Sequence, residues 1–539
     1  MRVMSNDMQA YGAVLNQQDE VCSYMTKVPA ETSAVVVVLD AHTFSRGRLS
    51  FRHRAWAFCF LLIAVCGCGS TDGPPRSEKS SNIGGPQSTA QKRDDAENRG
   101  ELSFKDYNLV FVSFDALQAA HVSCLGYQRK VTPTIDSIAA RGFSFRNAAS
   151  VSSWTVPSSM TWFTGVYPSE HRMVNKYAIY NPPETKIADL RDLSPDLVTL
   201  ADLLKQKGYA TGGFTGNAGV SGGFGYEQGF DTYYYVKGKF GRMDESIPRA
   251  LEWLKTNKDR KFFLFLHGYD VHGQSTPPGG YDYRFVDEDY DQRYRGAELE
   301  QELLREEGLQ KGALTMREED VRFWRAIYDE KIQRTDAKFK RFLDDFARLG
   351  LMDKTIFVLT SDHGTEFFEH RRIDHGFSLY QELVHVPLII QLPGRKKGVT
   401  IDDRVSSIDL MPTMLDLLGI DLSDRARRQL RGQSLVPAMQ GSAVKRDVFS
   451  ETNYREYTYK RSITASDGWK LIFTLEQPAR ELYNLKDDPS ETKDLSEANS
   501  NKADELERRL FEHFKSIGHD LEGRSWPIGL NPVYPSQAK

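Results

Sequence analysis

Leu109-Val110-Phe111-Val112-Ser113-Phe114-Asp115 is a short apolar run that ends on a carboxylate. Runs of this length without polar alternation read as strands buried on both faces, as in a sheet sandwiched between helices. The pattern recurs along the chain. Residues 262–266 lead into His267-Gly268-Tyr269-Asp270-Val271-His272, residues 356–359 lead into Thr360-Ser361-Asp362-His363-Gly364, and residues 386–392 form a fourth run. Helix-like stretches lie at 133–141, 197–207, 243–256 and 328–348. Strands alternating with helices predict an α/β fold built on a large, mostly parallel sheet.

In open sheets of this kind, ligands bind beyond the carboxyl ends of the strands. Three strand ends therefore deliver carboxylates and imidazoles to one edge, and His375-Gly376 follows soon after the third. Any one such residue alone reads as a turn or cap. Their convergence points instead to a divalent metal of intermediate hardness, which suits carboxylate with neutral imidazole.

The segment Trp154-Thr155-Val156-Pro157-Ser158-Ser159-Met160 adds a hydroxyl. Pro157 fits a first helical turn, which puts Thr155 at or just before a helix N-terminus. Backbone N–H groups and the helix dipole stabilise an anion there. A hydroxyl held against a metal at such a place can attack a phosphoryl or sulfuryl centre. The plainer alternative is that Thr155 only caps the helix.

Around this core the chain divides into four parts. Arg46, Arg48, Arg52 and Arg54 precede an 11-residue apolar run at 55–65 that leads into Cys66-Gly67-Cys68-Gly69-Ser70. A spanning helix needs roughly 20 residues, so the run reads as an export signal. Gly67 before Cys68 is similar to a bacterial lipobox, which implies a lipid anchor on Cys68 and residence in the cell envelope, periplasm or outer surface. A simple signal cut nearby, or a buried helix, is the alternative. Residues 1–68 are thus an upstream extension plus leader, with a true start expected near Leu49. Residues 69–104 form a polar tether. Residues 105–441 form the catalytic domain, within which the acidic stretch 281–319 reads as a solvated helical insertion. Residues 442–539 form a small α+β subdomain, with strands at 462–464 and 471–473 and a charged helix at 501–516. Once the leader is removed, Cys124 is the one thiol left besides the lipidated cysteine, which excludes a disulfide framework. A net charge of −4 argues against a nucleic-acid partner.

Several of these segments together resemble the sulfatase family of the alkaline phosphatase superfamily. The similar regions are 108–127, Thr155 with Thr164-Gly165-Val166-Tyr167-Pro168, and Thr360 to Gly364. His375 to Glu382 with Val386-Pro387-Leu388, and Glu481 to Leu485 with Asp488-Pro489, complete the set in family order. The resemblance implies an alkaline-phosphatase-like sandwich with a smaller C-terminal subdomain. It implies Asp115, Asp362 and His363 as ligands of one divalent cation (calcium, or magnesium, manganese or zinc). It places Thr155 at the nucleophile position, with His272 and His375 on the ester oxygens or the leaving group.

The chain also departs from the family pattern. Sulfatases carry Cys or Ser, oxidised to formylglycine, where Thr155 stands, and Arg where Ser159 stands. A threonine would give a ketone, so no formylglycine is expected. The family's Asp-Thr-Leu-Arg-Ala-Asp-His is here Asp115-Ala116-Leu117-Gln118-Ala119-Ala120-His121. The expected activity is metal-dependent hydrolysis of a sulfate or phosphate ester in a small molecule or glycan. The alternatives are a degenerate member that binds such glycans without turnover, and a phospho-group transferase of the envelope.

Overall fold

The computed structural model describes residues 102–522 apart from 175–177, 182–183, 188–192, 223–224, 237–239 and 455–456. The expected leader, Cys68 and nearly all of the tether lie outside the described residues. In chain order the strands begin with β1 (Asn108–Phe114), β2 (Phe143–Ala149), β3 (Ala178–Asn181), β4 (Glu184–Ile187), β5 (Ala210–Thr215) and β6 (Thr232–Tyr235). They continue with β7 (Phe262–Gly268), β8 (Thr355–Thr360), β9 (Glu366–Phe367), β10 (Ile373–Asp374), β11 (Leu388–Gln391) and β12 (Val399–Ser406). The last four are β13 (Val448–Tyr454), β14 (Thr458–Thr464), β15 (Trp469–Thr474) and β16 (Ala479–Asn484).

Eight strands form one sheet in the order β12-β2-β11-β8-β1-β7-β5-β6. Every pairing is parallel except the two made by β11, which runs against β2 and β8. The unbroken apolar runs now have a physical explanation. On β1, Leu109 and Phe111 enter one core while Val110, Val112 and Phe114 enter the other. On β7, Phe263 and Phe265 oppose Phe262, Leu264 and Leu266, and on β8, Ile356 and Val358 oppose Phe357 and Leu359. Alternate side chains point to opposite faces, so a strand covered on both sides must be apolar at every position. The helices Thr155–Thr164, Leu200–Gln206 and Leu410–Leu417 cover the first face. The helices Pro133–Ala139, Met243–Asn257 and Glu318–Arg348 cover the second.

Two expectations need correction. The long helix begins at Glu318, ten residues before the expected start, and runs for 31 residues. Its acidic opening (Glu318, Glu319 and Asp320) favours the positive end of the helix dipole while hiding the buried Phe323, Trp324 and Ile327 behind charge. The stretch 281–319 is solvated only in part: residues 281–300 are exposed or half-buried apart from Gly296, and burial begins at Gln301. Its helix Glu298–Lys311 buries Gln301, Leu304, Arg305 and Leu309. The chain passes so close that a Cβ on Gly273 would lie 1.7 Å from Gln301 Nε2. Charged Arg305 is buried here while Leu299 and Leu303 are exposed, so residue type alone does not tell which face of this helix is covered.

The C-terminal sheet is antiparallel, in the order β13-β14-β15-β16. Ala503, Leu506, Leu510 and Phe514 recur at helical spacing on the helix Ser500–Ser516 and pack on Ile463, Leu471 and Leu482. Both sheets lie within one compact unit. They are joined near the expected site. Thr452 Oγ1 donates to Gly376 O at 2.7 Å, and Ser450 Oγ donates to Ser150 O at 2.6 Å. Gly376 has φ +97° and no space beside it, since a Cβ there would lie 2.3 Å from the Tyr454 ring. Only glycine meets both conditions.

Candidate active site

Asp115 follows β1, His267 lies near the end of β7, and Asp362 and His363 follow β8, so three adjacent strands end at one place. Ala116 adopts φ +57° straight after β1. This turn points its N–H at Asp362 Oδ1, 3.1 Å away, where His363 N also donates at 3.0 Å. Asp115, His267 and Asp362 are fully buried and bring one ligand atom each within 4.8 Å of one another. Asp115 Oδ1, Asp362 Oδ2 and both His267 ring nitrogens have no hydrogen-bond partner among the described residues.

The electrostatics of this group suit a cation. Burial and the neighbouring Asp362 push the Asp115 carboxyl well above the usual carboxylate range. Burial also pushes Asp362 upward, but His363, His267 and the Ala116 N–H outweigh it and leave that carboxyl low. Burial lowers His267 to about 4, so its imidazole is neutral and offers a lone pair. Two carboxylates this close cannot both be charged without a positive partner. The orphaned oxygens and nitrogens fit a divalent ion of the class that takes both carboxylate and imidazole.

Thr155 is the first residue of its helix, after extended Trp154. Its hydroxyl does not cap the helix. Thr155 Oγ1 lies 3.2 Å from Asp115 Oδ2 and 3.3 Å from His363 Nε2. His363 Nδ1 sits 2.7 Å from Gly364 O. A carbonyl only accepts, so Nδ1 carries a proton, and when the ring holds that proton alone Nε2 turns a lone pair toward Thr155. His363 Nε2 is also 3.4 Å from Asp362 Oδ2, which puts it beside the first group.

His272, Asp374 and His375 form a second buried group. The rings of His363 and His375 lie 4.1 Å apart between centroids, which links it to Thr155. The proton positions here can be assigned. Gln274 N–H donates to His272 Nδ1 at 3.3 Å, so neutral His272 carries its proton on Nε2. That nitrogen meets His375 Nε2 at 3.1 Å, which must accept and leaves the His375 proton on Nδ1. His375 Nδ1 is buried and has no partner among the described residues. Burial, with the nearby His363, holds both rings well below the usual imidazole range.

Asp374 adopts φ +84° at the end of β10. Its Oδ2 accepts from Gln274 Nε2 and lies 3.5 Å from the Arg305 guanidinium, and its Oδ1 lies 3.2 Å from His375 Nε2. Behind the loop, Lys331 Nζ donates to His272 O and Gly273 O, each at 2.9 Å.

The structure thus brings together all six residues expected from the sequence. It adds His267, Asp374, Arg305 and Lys331, which sequence reasoning missed. His267 stands in the quoted strand end and was the one legible signal. Asp374 adjoins His375, but nothing in its neighbours announces a left-handed backbone. The two positions where the family carries Arg are occupied by packing contacts. Gln118 Nε2 donates to Thr365 O, and Ser159 Oγ donates to Thr155 O at 2.5 Å while meeting Tyr226 OH at 2.9 Å. Ala120, at the position of the family's second Asp, is exposed.

Comparison with known proteins gives a consistent picture. The family model for sulfatases matches residues 107–420, and the model for the C-terminal region of N-sulphoglucosamine sulphohydrolase matches residues 368–519. Arylsulfatase K of Rattus norvegicus is 25% identical over 439 residues, covering 72% of this chain and 74% of that protein. Choline-sulfatase of Rhizobium meliloti (strain 1021) is 29% identical over 206 residues, covering 38% of this chain and 39% of that protein. Among solved structures, BT4656 in complex with its substrate D-glucosamine-2-N,6-O-disulfate aligns with TM-score 0.60 at 21% identity, covering 78% of this chain and 100% of that one. The phosphonate monoester hydrolase of Agrobacterium radiobacter aligns with TM-score 0.59 at 19% identity, covering 76% and 95%.

Proposed function

The chain belongs to the sulfatase family, and from that premise we propose that it hydrolyses sulfate or phosphate esters with Thr155 as nucleophile. The observation that carries this reading is the Thr155 hydroxyl, 3.2 Å from Asp115 Oδ2 and 3.3 Å from His363 Nε2, at a helix N-terminus.

Asp115, His267 and Asp362, with His363 beside them, would hold one divalent cation, which supplies charge to lower the hydroxyl's pKa and to draw electrons from the ester. The chain's own residues do the rest. Asp115 Oδ2, 3.2 Å away, takes the Thr155 proton. The oxygen attacks sulfur or phosphorus, and the N–H groups at the start of the helix face the charge that develops. His375 Nδ1–H, with His272 Nε2–H behind it, is the donor available to the leaving alcohol. With pKa values this depressed both rings stay neutral, so their N–H groups hydrogen-bond the charge on the leaving oxygen without giving up the proton, which water supplies.

Phosphate is the ester favoured by this chemistry. A formylglycine hydrate expels sulfate by collapsing to its aldehyde, whereas an esterified threonine needs water to attack the intermediate. The substrate class is a sulfated or phosphorylated sugar, supported by the disulfated glucosamine bound in a neighbour of the same fold. Export and anchoring through Cys68 belong to the same reading, and a mass shift of one lipid at Cys68 in the mature protein tests them.

A second reading, a binding protein without turnover, draws support from Gln118, Ser159 and Ala120 at the family's charged positions. The deciding experiment uses the protein from Gly69 onward, loaded with divalent cations, on aryl sulfate, phosphate, phosphodiester and phosphonate esters. Turnover of a phosphorus ester that Thr155→Ala and Asp362→Asn both abolish supports the threonine hydrolase. Sulfate turnover alone overturns the argument from the leaving step. Bound cation with no turnover favours the binding protein.

A further inference from the structure

The Thr155 side chain has two branches, and the structure holds both. Its Oγ1 faces Asp115 Oδ2 and His363 Nε2. Its methyl, Cγ2, faces Gly219 in the short turn Ala218–Val220 that follows β5. A Cβ on Gly219 would lie 2.7 Å from Thr155 Cγ2 and 2.9 Å from Thr155 Cβ. Carbon atoms in contact sit about 3.5–4.0 Å apart, so the methyl fills the space that any larger residue at 219 would need.

Gly219 is itself held in place. Its N–H donates to Tyr269 OH at 2.7 Å. Tyr269 is buried, and its own N–H donates to Gly241 O at 3.0 Å. The ring fills the space beside Gly216, where a Cβ would lie 2.4 Å from it. It also packs edge-on against His267 and His272, with centroids 4.8 Å and 5.6 Å apart. Ala218, just before Gly219, adopts φ +49°. Alanine rarely takes that left-handed backbone, so its surroundings impose it. The backbone of Thr155 is anchored separately. Ser159 Oγ donates to Thr155 O at 2.5 Å, and Tyr226 OH donates to Val156 O at 2.7 Å.

Two properties of threonine turn this packing into chemistry. Rotation about χ1 is stiff in a β-branched residue, and the chirality at Cβ means that a fixed methyl fixes the hydroxyl. With the backbone anchored and the methyl seated, Oγ1 is left facing Asp115 and His363. A serine would offer the same oxygen with three staggered positions open to it.

We infer that Gly219, pinned by the Tyr269 hydroxyl, seats the Thr155 methyl and so holds the nucleophilic oxygen in its attacking rotamer. Gly219 and Tyr269 are thus positioning residues that act through Thr155. The kinetic consequence rests on the hydrolase reading, whereas the seat rests on packing alone.

The first test needs no turnover. In protein isotope-labelled at threonine methyls, the Thr155 signal is identified by its loss in Thr155→Ser. Its order parameter should match that of rigid core methyls in the wild-type protein. Tyr269→Phe should lower it below about 0.6, the flexible range, while the other threonine signals report that the fold survives. Gly219→Ala, which puts a methyl into the seat, should displace the Thr155 signal. An unchanged order parameter in the first variant, or an unmoved signal in the second, overturns the inference.

The second test is kinetic, on the aryl ester that the wild-type protein turns over best. Thr155→Ser should lower kcat at least about threefold by rotamer count alone, with KM unchanged. Tyr269→Phe should lower kcat about two- to tenfold, the range for one hydrogen bond. In the Thr155→Ser background it should cost nothing further. A merely structural tyrosine would cost the same in both backgrounds. That result, or a Thr155→Ser protein as fast as wild type, overturns the inference. Absent turnover of every ester by the wild-type protein would instead sink the hydrolase reading, and the methyl signals would still decide whether the seat exists.

Discussion

Two carboxylate–imidazole groups stand side by side in this molecule, and they are built differently. Asp115, His267 and Asp362 ride on the ends of three neighbouring strands, with their ligand atoms unpartnered and their charges in conflict. His272 and His375 hang on loops and Asp374 ends the two-residue strand β10, with the imidazole protons assigned from Gln274 and a guanidinium beside the carboxylate. The first group lacks a positive charge and the second already has one. Similar residue types therefore serve opposite ends of the reaction, one to receive a cation and the other to hydrogen-bond the leaving oxygen. Environment, not composition, makes the assignment.

The largest test of this division is on the first group. Thr155→Ala and Asp362→Asn should each lower kcat/KM by about 10³-fold or more, as for residues that act together at a nucleophile. Next come His272→Ala and His375→Ala, expected to cost about 10²–10³-fold as lost hydrogen-bond donors to the leaving oxygen. Their deficit should shrink on esters of acidic phenols, which leave without help. If it does not shrink, the second group does not hydrogen-bond the leaving oxygen. A third measurement separates the groups by cation. At a hundredfold excess over Kd, a divalent ion should stabilise the fold by about 2.7 kcal/mol. Asp362→Asn should abolish that gain and Asp374→Asn should keep it. The reverse result would exchange the two roles.

The smallest effect concerns Lys331, which supports the second group from behind. Burial lowers its ammonium from 10.5 to about 7. Between those values the unfolded chain binds more protons than the folded one, so stability rises with pH across that window and falls as pH drops toward 7. Lys331→Met should flatten that slope in denaturant titrations from pH 7 to 10. An unchanged slope would mean that the ammonium reaches water.

Much of this was legible in the sequence, and the gaps have physical reasons. Strands β1, β7 and β8 stood out because burial on both faces requires unbroken apolar runs. Strands β5 and β6 did not, since Ala210–Thr215 contains two glycines and Thr232–Tyr235 faces partly outward. Thr155, Asp115 and Asp362 were readable from strand ends and a helix start. Arg305 and Lys331 were not, because they reach the site across long sequence gaps, and Arg305 lies in the stretch 281–319 whose charge suggested solvent.

By itself, the sequence determined the sandwich, the edge at which the chemistry gathers, and the residue types available there. Those follow from local rules, namely the period of buried strands and the start signals of helices. Only the tertiary structure decided which imidazole carries a proton on which nitrogen and which carboxylate goes unpaired. Each of these depends on which groups meet across hundreds of residues in a dry interior, where a single hydrogen bond or neighbouring charge sets the protonation state.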